Sequence, residues 1–120
     1  MRIAVTAQGP DKDSPVDERF GRAKHFVIYD TETGEYTAVD NAVNMNAMQG
    51  AGIQSGERMA KENINVVLTG HVGPKAFRTL QAAGVTIASG ISGTVADAIA
   101  AWKDGKLQVT GGPDVQGHWQ

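Results

Sequence analysis

Chemistry in this 120-residue chain has few residue types to work with. The three histidines, His25, His71 and His118, lack the short local spacing of a zinc site. There is no cysteine, which excludes disulfides, zinc fingers, thiolate-held iron–sulfur centres and a cysteine nucleophile. Asp11, Asp13, Asp17 and Glu18 fall in one irregular stretch and read as a solvated surface. A two-metal nuclease would place carboxylates on central strands, and the segments 2–8 and 66–70 carry none. Gly70-His71-Val72-Gly73-Pro74-Lys75 lacks the spacing and the hydroxyl residue of a phosphate loop. Gly50-Ala51-Gly52 with Gly56 follows a long loop and has no acidic residue at the end of the next strand, so it reads as tight helix packing rather than a dinucleotide fingerprint.

Two turns remain. Gly70 to Lys75 and Ile91 to Thr94 each precede a helix start, where unpaired amides and the helix dipole attract anions. Lys75 and Arg22 can add charge. Many of the 15 glycines sit at such turns and allow main-chain amides to approach a bulky ligand.

The elements that position these turns follow from apolar runs and their punctuation. Residues 2–8 form a buried strand ending at Gly9-Pro10, and 9–22 is a long connection of the kind that often carries function. Residues 24–30 and 36–40 form a hairpin turning at Gly34. After an Asn-rich loop at 41–49, a helix runs from about Gly52 to Asn63, with small residues at 52, 56 and 60 for close packing. Residues 66–69 read as a central parallel strand. A helix opens at Pro74 and ends at Gly84, a short strand covers 85–88, and Thr94 with Asp97 resembles a capping box for a helix closed by Gly105. The order predicts an α/β domain with a mixed five-stranded sheet and helices on both faces, followed by a tail. Ligands on such sheets sit beyond the carboxyl ends of the parallel strands.

The balance of 11 basic and 13 acidic residues, net charge −2, supplies no field for nucleic acid. No apolar run approaches membrane-spanning length, and the start does not read as a signal peptide, so a cytoplasmic location is the expectation.

The phrases Asp17-Glu18-Arg19-Phe20-Gly21-Arg22-Ala23, Asp40-Asn41, Gly50-Ala51-Gly52, Thr69 to Ala76 and Ala83-Gly84-Val85 together resemble the dinitrogenase iron–molybdenum cofactor-binding family across residues 1–107. The start of the chain and Gln49 to Gln54 are especially similar to the molybdenum–copper orange proteins within it. The resemblance implies a ribonuclease H-like fold, a cofactor-binding domain over 1–107 and a flexible tail over 108–120. It implies non-enzymatic carriage or storage of an anionic metal–sulfide cluster, of molybdenum–copper–sulfide or molybdenum–iron–sulfur type, with partner proteins in assembly or delivery. The cluster brings its own sulfide, which suits a chain without thiolates. Candidate contacts are Gly9, Arg22, Asn41, Met45, Met48, Gly70, His71, Val72, Gly73, Lys75, Gly90, Gly93 and Thr94, with His71 the one candidate for direct metal contact. Met45 and Met48 suit soft contacts or an apolar lid, and equally core filling. The alternative function is a regulatory module that has lost cluster binding and docks a partner through Gly117-His118-Trp119. An enzyme acting on a phosphorylated metabolite ranks last, because no base and nucleophile occur together in these motifs.

Overall fold

The computed structural model describes residues 1–41 and 51–111. Met45, Met48, His118 and Trp119 lie outside the described residues. Six strands form one sheet: β1 (Arg2–Ala7), β2 (His25–Asp30), β3 (Tyr36–Asp40), β4 (Val66–Leu68), β5 (Thr86–Ser89) and β6 (Gln108–Val109). Their spatial order is β3-β2-β1-β4-β5-β6. β1 lies antiparallel to β2 with Val5 opposite Val27, and parallel to β4 with Ala4 opposite Val67; β5 continues the parallel set beside β4.

The five-stranded expectation is therefore one strand short. β6 pairs antiparallel with β5 through Ala88–Val109 and Ser89–Gln108, and it uses the first two residues of the segment expected as tail. A two-residue strand with both side chains exposed leaves no alternating apolar pattern to read.

Among the described residues three helices cover the sheet: α1 (Ala51–Lys61), α2 (Pro74–Ala82) and α3 (Val95–Lys103). Two cores result, one on each face. Phe26, Ile28, Val67 and Ile87 meet Met59 of α1 and Phe77 and Leu80 of α2. Val5, Val27, Leu68 and Ala88 meet Val95, Ala98 and Ile99 of α3. Of the small-residue stripe Gly52 and Gly56 are buried while Ala60 is exposed, and the partner at Gly56 is a helix: a Cβ added there would stand 2.7 Å from Thr79 Cγ2 of α2.

All three helices end alike. Asn63, Gly84 and Gly105 take positive φ, at 57°, 76° and 71°. In each case the next amide reaches back five residues, Ile64 N to Met59 O, Val85 N to Leu80 O and Lys106 N to Ala101 O. This is the Schellman closure, which satisfies the last carbonyls of a helix. α3 also carries the expected capping box, with Asp97 N donating to Thr94 Oγ1 and Thr94 N donating to Asp97 Oδ2. No helix among the described residues is long and apolar enough to cross a membrane.

Candidate functional site

The connection from β1 to β2 builds the site. Two apolar residues anchor this polar segment: Val16 enters the α3-side core, and Phe20, fully buried, enters the opposite core and stacks on Phe26 at 5.4 Å. Between them the chain runs Asp17-Glu18-Arg19 across the end of the sheet. Main-chain bonds fix its course. Asp17 N donates to Thr6 O at 2.8 Å, Gln8 N to Pro15 O at 2.9 Å and Val16 N to Gly93 O at 3.0 Å. Buried Thr6 donates its hydroxyl to Asp17 O at 2.6 Å and lies 3.0 Å from the Thr69 hydroxyl. On the far side His71 N donates to Glu18 O at 2.6 Å and Phe20 N to His71 O at 3.3 Å. That pairing forms a parallel bridge between Arg19 and His71.

The result is an open cleft of about 630 Å³ beyond the carboxyl ends of β1 and β5. Gln8 forms one side and Ile91, Ser92 and Gly93 another, while Arg19, Arg22 and Lys24 bring three cations against Asp17 and Glu18. Asp17 is not the solvated carboxylate the sequence suggests. It is only 8% exposed, and its Oδ1 accepts the Arg19 amide at 2.9 Å and lies 3.8 Å from Arg19 Nε. It therefore holds Arg19 in place and offsets part of its charge.

Of the expected contacts, Arg22 and Gly93 line this cleft. Gly9, at the end of β1, packs on Ser14, whose Oγ would be 2.6 Å from an added Cβ. Gly90 is exposed with φ of 83° and serves the turn after β5. Asn41 is 2% exposed and directs its side-chain amide to Ala23 O at 2.8 Å and Gly21 O at 3.3 Å, with Ser55 on its carbonyl. It positions Arg22 and Lys24 by holding the main chain between them. We expect Asn41→Ala to remove the side-chain donor to the Ala23 carbonyl and one of two donors to the Gly21 carbonyl, which Ser55 Oγ also reaches at 3.4 Å, and to cost about 2 kcal/mol, read as a lowered midpoint in urea unfolding.

The two helix starts differ. At α3 the amides are already occupied: Val95 N donates to Ser14 O and Ala96 N to Lys12 O, with Thr94 and Asp97 capping each other. The amides of residues 94–97 are thus taken; Gly93 forms part of the cleft wall, and Thr94 is the N-cap, bridged to Pro15. At α2, Gly73 is the N-cap without a side-chain cap and Pro74 occupies the first turn. This end, with exposed Lys75 and half-buried His71, adjoins the cleft through the Arg19–His71 bridge. Gly70 and Val72 are buried, and Gly70 lies directly against the Glu18 main chain. Among the described residues no group of three or more His, Cys, Asp or Glu side chains could hold a metal ion, and His71 belongs to no such group.

Sequence reading did not single out Arg19 and Lys24, and reached Ser92 only as part of the Ile91 to Thr94 turn. The available signal was Phe20: an apolar residue flanked by Arg19 and Arg22 in a polar loop is an anchor that orients its charged neighbours.

The site is thus an open cleft at the end of an α/β sheet, lined by three cations and two carboxylates and built on main-chain stitching, with no clustered metal ligands among the described residues. The chain belongs to the dinitrogenase iron–molybdenum cofactor family, whose sequence profile matches residues 1–105. It is similar to the apo form of the orange protein from Desulfovibrio gigas, at 44% identity and a TM-score of 0.92 over 95% of this chain and 96% of that one. A Thermotoga protein of the DUF35 family solved by NMR gives 36% identity and a TM-score of 0.81, covering 90% and 91% of the two chains. A Methanocaldococcus jannaschii protein is 26% identical over 111 residues, 90% of each chain.

Proposed function

We propose that this protein is a non-enzymatic carrier or store for an anionic, molybdenum-containing metal–sulfide cluster, with molybdenum–copper as the composition and molybdenum–iron–sulfur as its alternative. The observation that carries the reading is the convergence of Arg19, Arg22 and Lys24 on one open cleft in a chain without cysteine. Family membership and likeness to the orange protein support it. A cargo that already contains sulfide needs no thiolate, only compensating charge, hydrogen-bond donors and a wall. Arg19, Arg22 and Lys24 supply charge, Gln8 and Ser92 supply polar contacts, and Val16 and Ile91 supply apolar floor. The adjoining turn from Gly70 to Lys75, with His71 and Lys75, extends the seat on the α2 side. We assign the fold to the ribonuclease H-like class on its antiparallel meander followed by parallel βα units, and place the protein in the cytoplasm, with loading and unloading by partner proteins.

Protein mixed with tetrathiomolybdate and copper is expected to acquire visible absorption that stays with it through gel filtration; colourless protein fractions would reject the reading. The double variant His71→Ala, Lys75→Ala is expected to lose about tenfold in retention, because one cation and one neutral donor leave the rim. Unchanged retention would remove those two side chains from the seat.

A further inference from the structure

The cleft holds a charge of the wrong sign for its proposed cargo. Asp17 is occupied with Arg19. Glu18 differs: it is exposed, it lines the cleft, and among the described residues its carboxylate has no hydrogen bond or ion pair. Its main chain is pinned, with Glu18 O accepting from His71 N at 2.6 Å and an added Cβ at Gly70 falling 2.7 Å from Glu18 Cα. Its main chain therefore cannot leave the cleft wall without unstitching the loop. An exposed carboxylate lining the same cleft as Arg19, Arg22 and Lys24 subtracts one charge from it.

We infer that Glu18 is a built-in counter-charge that limits affinity for the anionic cargo and so keeps the cargo transferable. This inference rests on the carrier reading and adds to it the residue that sets release. Each bound cluster meets the repulsion of this like charge on the cleft wall. For two negative charges roughly 6 Å from the carboxylate in water, removing that repulsion is worth about tenfold in affinity. Because the site is open to solvent, the gain must depend on salt.

The test is equilibrium dialysis of the full-length protein against tetrathiomolybdate with copper, followed by metal analysis, for the natural chain, Glu18→Gln and Glu18→Asp. Glu18→Gln is expected to bind about tenfold more tightly at low salt, with the difference falling to about threefold or less in 0.5 M sodium chloride. Glu18→Asp, which keeps the charge, is expected to stay within about threefold of the natural chain. Equal or weaker binding by Glu18→Gln, or a gain that salt leaves untouched, overturns the inference while the carrier reading stands. Absence of uptake by the natural chain and both variants overturns the carrier reading itself.

Discussion

Replacing Arg19, Arg22 and Lys24 together by glutamine is expected to lower cluster affinity by about a thousandfold at low salt while the domain stays folded. Each side chain contributes one positive charge to a solvent-open cleft, and one such charge against a doubly charged anion at roughly 6 Å is worth about tenfold in water. Three of them multiply. The fold tolerates the change because Arg19 and Lys24 are exposed and Arg22 is half-buried. The loop's course is set elsewhere, by Val16, Phe20 and Asn41. The pair lost with Arg19 spans 3.8 Å between a 44% exposed arginine and an 11% exposed aspartate side chain, and Asp17 Oδ1 keeps its hydrogen bond from the residue 19 main-chain amide in the variant. Circular dichroism should be unchanged while metal retention falls. Retention near that of the natural chain would move the seat away from this cleft.

The second large effect is steric. In Gly70→Ala the new Cβ would fall 2.7 Å from both Glu18 Cα and Glu18 O. Those are main-chain atoms, so no rotamer change relieves the contact. The backbone angles of Gly70 lie outside the left-handed region, and closeness alone demands glycine here. Relief requires the 17–20 segment to lift, which breaks the bond from His71 N to Glu18 O and shifts Phe20 from the core. We expect a loss of about 3 kcal/mol, which for a domain of this size lowers the melting temperature by roughly 10 °C or more. Cluster retention should fall with it. A variant with unchanged melting would show that the loop yields freely and is not stitched as described.

Much of the fold is legible in the residues. Apolar runs at 2–8 and 66–69 locate the two central strands, Pro74 and Thr94 mark helix starts, and Gly84 and Gly105 mark ends, because each mark is a local steric or hydrogen-bonding requirement. The site is less legible. Asp17 reads as a surface acid, but its burial depends on Thr6 and Thr69 beneath it and on Arg19 beside it. The start of α3 reads as open to an anion, but carbonyls of Lys12 and Ser14, about 80 residues earlier, fill it. Lys24 and Arg19 enter the cleft through main-chain pairings with Asn41 and His71. Such long-range bonds between backbone groups leave no periodicity, and only the anchors Val16 and Phe20 hint at them.

The stitching of the 15–20 segment also separates two tasks that binding loops usually combine. Its path is held by backbone groups and by two apolar anchors, whereas Glu18 and Arg19, with Arg22 and Lys24 just beyond, line the cleft. Those four positions can be exchanged without redrawing the loop. The frame is thus a chassis: its cargo can be retuned by charge alone, residue by residue, with the architecture carried over intact.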